Sequence, residues 1–215
     1  MLPATPNITL GEPFIELASI DSTNIYAMNL VHKGLASSGS CYSAHYQTQG
    51  KGQHGRNWES SAGLNLLCSY VLELKQLKSD KIWAPSDQVG FSAAVALGVH
   101  SFFKGYAGTA TKIKKPNDIY WGDRKAGGIL IENLVRGTAW TWTVVGIGVN
   151  INQIEFSNEA ANPISLKQIT HQNFDLSKLQ KQLTTSLKAA LMNWLENGEE
   201  ATLQKMEAVC VDIKK

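Results

Sequence analysis

Apolar positions along the chain change period several times, and each change marks an element. Residues 14–20 (Phe-Ile-Glu-Leu-Ala-Ser-Ile) read as a strand. Asp21 or Ser22 then offers a helix cap, Ile25, Met28 and Val31 follow as the inward face, and Gly34 stops the helix. Residues 40–48 read as a strand and the glycine-rich stretch 49–63 as a loop. Residues 64–74 (Leu-Asn-Leu-Leu-Cys-Ser-Tyr-Val-Leu-Glu-Leu) read as a buried strand. Pro85 suits the first turn of a helix running to about Lys104, with Val89, Ala93, Ala96, Leu97 and Phe103 on one side. Three strands are expected near 110–121, 125–134 and 139–151. Asp175 then caps a long helix in which Leu176, Leu179, Leu183, Leu187, Leu191 and Trp194 recur at spacings of three and four. Asn197-Gly198 ends it, and a last short helix covers 199–210.

The resulting order, β-α-β-β-α-β-β-β-α-α, has three consecutive strands joined by short loops, which argues antiparallel pairing. The fold class is α+β, a mixed, largely antiparallel sheet with packed helices. Strands and helices interleave without a linker, so residues 1–215 read as a single domain, with a core over 14–152 and C-terminal helices over 175–210.

Composition narrows the chemistry. Hydrophobic residues make up 43% of the 215 and charged residues 18%, a globular balance. The net charge of +2 excludes a bulk polyanion binder, so any basic chemistry must be local. Cys41, Cys68 and Cys210 form neither a disulfide framework nor a CxxC pair, and a reducing cytoplasm is the default expectation. Neither a signal peptide nor a membrane-length apolar run is visible, so no membrane partner is expected.

Four segments carry chemistry. Gly50, Gly52 and Gly55 spell GxGxxG, but a strand-like run follows rather than a helix, which rejects a dinucleotide-binding turn. What remains is a glycine loop holding Lys51, His54 and Arg56. It reads either as a cradle for a phosphate or carboxylate or as a solvated surface loop. In the second segment, Pro116 interrupts a strand-like run and Asn117-Asp118 follows, either an irregularity lined with polar groups or an ordinary turn. The third is Lys125-Ala126-Gly127-Gly128-Ile129-Leu130, which places a cation beside backbone open to close approach. From 112 to 125 five cations and two anions leave a local +3. The fourth is Trp140 to Asn152. A period of two puts Trp140, Trp142, Val144, Gly146, Gly148 and Asn150 on one face, and Thr141, Thr143, Val145, Ile147 and Val149 on the other. Gly146 and Gly148 then form either a flat ligand floor or a close-packing surface for a helix.

Together, in this order and spacing, the segments resemble the catalytic domain of biotin protein ligases. Gly50-Lys51-Gly52-Gln53-His54-Gly55-Arg56 resembles the family's GRGRxGR loop, and Lys114-Lys115-Pro116-Asn117-Asp118 its KWPND. Lys125 to Leu130 resembles KxxGIL, Gly146-Ile147-Gly148-Val149-Asn150 resembles GxGxN, and Asp21-Ser22-Thr23-Asn24 matches DSTN. Lys51 and Gln53 stand where arginines are usual in the loop, His54 is also not an arginine, and Lys115 departs from the usual tryptophan. The family's C-terminal SH3-like domain is expected to be absent or truncated. The motifs begin too near the N-terminus for a preceding DNA-binding domain, so no DNA partner is expected.

The resemblance implies an ATP-dependent ligase that makes biotinyl-AMP and transfers biotin to a lysine of a biotin carboxyl carrier protein, an acetyl-CoA carboxylase subunit or that of another biotin-dependent carboxylase. It implies ATP and biotin as substrates, Mg²⁺ with the nucleotide, no protein metal site, and a homodimer as one accessible state. It assigns Lys125, Lys51, Arg56 and Asp118 to catalysis. Biotin would meet Ser22, Thr23, Asn24, Gln47, Gly50, Lys51, Gly52, Gln53, Lys125, Gly127, Gly128, Gly146 and Gly148. The nucleotide would meet Lys51, Arg56, Trp58, Asn117, Lys125 and Asn150, with Trp58 stacked on adenine. The alternatives are a lipoate or octanoate ligase or transferase of the same fold, and a non-catalytic biotin-binding protein.

Overall fold

The computed structural model describes residues 8–78, 81–157 and 162–211. The ends of the expected domain, 1–7 and 212–215, lie outside them. The alternating segments pair into one sheet of seven strands: β1 (Phe14–Leu17), β2 (Cys41–Ala44), β3 (Leu66–Glu73), β4 (Thr111–Lys114), β5 (Asp118–Trp121), β6 (Arg124–Arg136) and β7 (Ala139–Val149). Their spatial order is β1-β2-β3-β7-β6-β5-β4. β1 and β2 run parallel and every other neighbouring pair is antiparallel. The parallel pair needs a crossover, which α1 (Thr23–His32) supplies. The remaining helices are α2 (Leu74–Leu77), α3 (Gln88–Ala107), α4 (Leu166–Thr170) and α5 (Leu176–Glu207). The α+β class and the mixed, largely antiparallel sheet are as expected.

One face of the sheet carries the main core. Val145, Ile147 and Val149 of β7 pack there with Cys68, Tyr70 and Leu72 of β3 and with α3 and α5. Leu179, Leu183, Leu187 and Leu191 of α5 are buried, each contributing about 1.5–3 kcal/mol. α3 and α5 approach closely at Gly98, where a Cβ would fall 3.0 Å from the Leu187 Cα. The opposite face carries a smaller cluster, Ala27 and Val31 of α1 against Tyr42, Val71 and Val144. α1 covers only part of this face. Beyond Val144 the same side of β7 continues as Gly146, beneath Asn24 at the start of α1, and Gly148, beneath Trp58, and that stretch becomes the site.

Several expectations need correction. The strand expected over 110–121 is two, because Pro116 lacks the N–H that would continue the ladder, and β4 and β5 form a hairpin around it. On α1 the buried residues are Thr23, Asn24, Ala27 and Val31; Ile25 and Met28 are only half-buried. The polar pair faces inward because the sheet beneath it supplies hydrogen-bond partners. On α3, Val89 is 56% exposed, while Phe91, Ala94, Val95, Val99 and Phe102 join the core, since the helix packs against both the sheet and α5. A register shift between Leu134 and Val135 leaves Thr141 unpaired and reverses the alternation. Trp140 therefore packs with Trp83, Phe91 and the main core, while Trp142 stays with Val144. Gly198, at φ 80°, breaks α5 where expected, and a second leg continues to Glu207. The short helices α2 and α4 were not expected.

Candidate active site

The site is built on three glycines of two neighbouring strands. Gly146 of β7 lies between Ser69 of β3 and Leu130 of β6, and Gly148 lies opposite Gly128 of β6. Without a Cβ at Gly146, Asn24 lies flat across β7 and reaches both flanking strands. Its Nδ2 donates to the Leu130 carbonyl at 3.2 Å and to Glu132 Oε2 at 2.9 Å. Its Oδ1 accepts from the Ser69 hydroxyl at 2.6 Å. A Cβ on Gly146 would sit 2.1 Å from that oxygen.

The start of α1 completes this polar end. Ser22 is the N-cap residue, but its hydroxyl makes no capping bond. The Thr23 N–H instead donates to Gln47 Oε1 at 2.8 Å, and the Thr23 hydroxyl donates to the same oxygen at 3.0 Å. These two bonds fix the Gln47 amide and leave its Nε2 available to a ligand acceptor. Ser22, Thr23 and Asn24 are each at least 96% buried.

Charge enters from the other side. Lys125 Nζ lies 2.7 Å from Asp118 Oδ1, and both side chains are about one-fifth exposed. Asn117 stitches the β4–β5 turn to β6, donating from Nδ2 to the Ile129 carbonyl at 2.6 Å while its own carbonyl accepts from the Ile129 N–H. The glycine loop folds back on itself: the Trp58 N–H donates to the Gly50 carbonyl, and the Gly52 N–H to the Arg56 carbonyl. This return lays the Trp58 ring on the glycine floor, where a Cβ at Gly148 would come within 2.4 Å of it. Lys125 Nζ is 5.7 Å from the centre of that ring, a cation–π distance. The indole Nε1 is buried without a hydrogen-bond partner. With the ring there, the remaining cavity is about 50 Å³, room for a few waters.

Of the residues singled out from the sequence, Ser22, Thr23, Asn24, Gln47, Lys51, Gly52, Gln53, Trp58, Asn117, Asp118, Lys125, Gly128, Gly146 and Gly148 line this one cavity. Gly50, Arg56, Gly127 and Asn150 do not. Gly50 closes the loop, since a Cβ there would meet the Trp58 carbonyl oxygen at 2.3 Å. Gly127 lets β6 approach the Gly148 carbonyl. Arg56 is exposed on the loop. The Asn150 amide is spent on the carbonyls of Ile164 and Lys125. A larger cavity of about 420 Å³, between β1, β2 and the start of α5, contains none of these residues.

Sequence reasoning missed Ser69 and Glu132, which hold Asn24. A hydroxyl inside an apolar strand, and an acid two residues beyond Leu130 on the same face, were the available signals. Asn65 and Gln153 were missed too. Asn65 Nδ2 donates to Ser60 Oγ and Gln153 Oε1, and its Oδ1 accepts from the Ile151 N–H, tying the loop's C-terminal root to the exit of β7.

The chain is similar to several known proteins. Over 193 residues the chain is 30% identical to the bifunctional ligase/repressor BirA of Escherichia coli, covering 89% of this chain and 57% of that protein. It is 36% identical over 138 residues to the biotin–[acetyl-CoA-carboxylase] ligase of Paracoccus denitrificans, covering 63% of this chain and 53% of the relative. The chain thus spans little more than half the length of these relatives. Its fold is similar to that of the Aquifex aeolicus biotin protein ligase solved with biotin and ATP, at a TM-score of 0.77 and 24% identity over 93% of this chain and 79% of the other. The sequence model of the biotin/lipoate A/B protein ligase family matches residues 16–150, and the chain belongs to that family.

Proposed function

We propose that the chain activates biotin with ATP and passes the biotinyl group to a lysine of a biotin carboxyl carrier protein. The observation that carries this reading is the continuity of one cavity. Hydrogen-bonding groups at buried Ser22, Thr23 and Asn24 and half-buried Gln47 lie at one end, a floor without side chains in the middle, and the Lys125–Asp118 pair at the other. A polar ring system buried at the first end needs each of its groups satisfied, which gives specificity. An acyl chain carrying no polar head would leave the Gln47 Nε2 without an acceptor at this end.

In the first step a biotin carboxylate oxygen attacks the α-phosphorus of ATP. The bond from that phosphorus to the bridging oxygen breaks, and pyrophosphate leaves with the electron pair. Two anions must meet, so the site must supply positive charge. Lys125 provides it where the cavity turns toward Asp118, and Lys51 and Arg56 add to it from the loop. In the second step the carrier lysine's neutral amine attacks the acyl carbon, AMP leaves, and the amine loses a proton. Asp118 is the carboxylate lining the cavity and serves as acceptor for that proton. Gln53, Gly52, Gly128 and Gly148 border the ligand, and Trp58 stacks on adenine once the ligand has lifted it from the floor.

Among the described residues no group of three or more His, Cys, Asp or Glu side chains is placed to hold a metal. Mg²⁺ enters the proposal as part of the MgATP substrate. The similarity to biotin–[acetyl-CoA-carboxylase] ligases supports a carboxylase carrier subunit as the acceptor. No helix among the described residues is long and apolar enough to cross a membrane. Cys41 and Cys68 are buried thiols outside any disulfide, which supports a cytoplasmic site of action.

The test is intact-mass analysis of a purified carrier domain after incubation with the full chain, MgATP and biotin. The carrier should gain one biotinyl group, and a carrier whose acceptor lysine is changed to arginine should gain none. No mass gain on the native carrier would overturn the transfer step.

A further inference from the structure

The cavity between β1, β2 and the start of α5 lies on the other face of the sheet from the site built on Gly146 and Gly148. Cys41 of β2 belongs to the helix-side core, and Phe14 and Glu16 of β1 stand beside Cys41 and Ser43 in parallel register. Alternation therefore turns all four residues toward α5. The start of α5 spans this corner without filling it. At one contact Gly11 meets Thr184, where a Cβ would fall 2.7 Å from the threonine methyl; at another Gln180 reaches Cys41. About 420 Å³ stays open, and Phe14 beside it is 48% exposed. Leu10, Phe14, Ala44, Leu66 and Leu176 give the walls a mainly apolar surface.

A directional chain of hydrogen bonds sets the chemistry of the α5 wall. The Thr184 hydroxyl spends its single proton on the Gln180 backbone carbonyl, 2.9 Å away. Tyr70 must then donate to Thr184 Oγ1 at 2.7 Å, and burial, which raises the phenol well above its ordinary value, keeps that proton in place. The Tyr70 oxygen is left to accept from the Gln180 amide nitrogen at 2.8 Å. This order of donors fixes the amide, with its nitrogen on Tyr70 and its oxygen unused. Among the described residues lining the cavity, Gln180 Oε1 is the buried polar atom without a hydrogen-bond partner. It is an acceptor, so a ligand must bring a donor. The charged groups of the lining favour neither sign: Glu16 lies 3.3 Å from His45 Nε2, while Glu12 and Lys181 are exposed and have no ion pair among the described residues. An ammonium buried against apolar walls would be costly, whereas a neutral O–H or N–H would not. We propose that this cavity is a second binding site, for a neutral apolar molecule whose hydroxyl or amide N–H donates to Gln180 Oε1. Apolar burial supplies the affinity and the donor supplies the selectivity. The site shares no residue with the catalytic cavity, so it does not depend on the ligase reading.

The experiment titrates the full, isotope-labelled chain with phenylbutanol and with its methyl ether, without biotin or nucleotide, and follows amide and methyl resonances. The alcohol should bind with a Kd of about 1 mM or below, the scale for a ligand of this size. Its shifts should fall on Leu10, Ala44, Leu66 and Leu176, and leave Gly146 and Gly148 in place. The ether has the same apolar body and no donor, and should bind about 3- to 10-fold more weakly. Gln180→Leu should abolish that difference, and Ser43→Phe, which fills the space, should block both compounds. Absence of saturable shifts with either compound overturns the proposal. So do shifts centred on Gly146 and Gly148, which would place the probe in the catalytic cavity. Equal affinity for alcohol and ether, or a difference that survives Gln180→Leu, overturns the assignment of the donor. The comparison of alcohol with ether on the unsubstituted chain decides the matter even where a substitution unfolds the protein.

Discussion

Gly146→Ala tests the geometry of the polar end most sharply. The new methyl group would sit 2.1 Å from Asn24 Oδ1, 2.7 Å from Cγ and 3.1 Å from Nδ2. Asn24 has nowhere cheap to go, because its amide is held by Ser69, the Leu130 carbonyl and Glu132. Overpacking costs about 1–3 kcal/mol, and weakening the bonds to Ser69 and Glu132 adds about 1 kcal/mol or more. A destabilisation of roughly 2–4 kcal/mol is expected, or about 5–15 °C in Tm for a domain of this size. Gly148→Ala is the internal control. Its methyl meets the Trp58 ring, the end of a side chain on a loop, which can swing aside. Its cost in the ligand-free protein should stay below about 1 kcal/mol, although the raised floor should still impair biotin binding. Thermal unfolding without ligand, followed by biotin titration, reads both terms. If Gly146→Ala melts within about 1 °C of the unsubstituted chain, or no lower than Gly148→Ala, Asn24 is not locked across β7 as described.

Lys125→Ala should reduce biotinyl-AMP synthesis at least about 100-fold, the scale of losing one preorganised electrostatic donor, and near-normal synthesis would remove Lys125 from its assigned role. Because the Trp58 ring covers the floor, biotin must displace it: titration with biotin should change tryptophan emission in the native chain, and most of that change should vanish in Trp58→Phe, which keeps the other five tryptophans. A full-size change in Trp58→Phe would show that the ring does not move. Burial holds the His100 imidazole below its ordinary value of 6.5, with its Nε2 3.1 Å from the Thr111 carbonyl oxygen. The unfolded chain therefore takes up the proton first, and stability should fall as pH drops below about 6.5. Chemical unfolding between pH 7.5 and 5.5 should show a shallower slope in His100→Gln, and identical slopes would assign the effect to another group.

Much of the site was legible because its residues cluster in short motifs. Ser22-Thr23-Asn24, the glycine loop, Asn117-Asp118, Lys125 and the two β7 glycines are local patterns, and strand alternation alone set Gly146 and Gly148 on one face. What was not legible depends on register. Ser69 and Glu132 meet Asn24 from 45 and 108 residues away, and only the pairing β3-β7-β6 brings them to either side of Gly146. The inward face of α1 was misread for a related reason: apolar periodicity points to Ile25 and Met28, yet the sheet offers polar partners that bury Thr23 and Asn24. Trp140 was placed on the wrong face because a bulge adds one residue to a period of two, and no side-chain pattern announces it. Asn150 ends a motif that resembles a nucleotide reader, but the chain returning at Ile164 takes its amide.

The central claim is that this cavity activates biotin in particular. The most direct measurement incubates the full chain with MgATP and either biotin or octanoate, and follows pyrophosphate together with the acyl-adenylate by mass. Biotin-dependent pyrophosphate release with a biotinyl-AMP peak, and little product from octanoate, is the predicted result. Octanoyl-AMP in place of biotinyl-AMP would contradict the assignment of the buried polar groups to a ureido ring. Biotin binding without pyrophosphate would contradict the catalytic role of Lys125 and leave a binding protein.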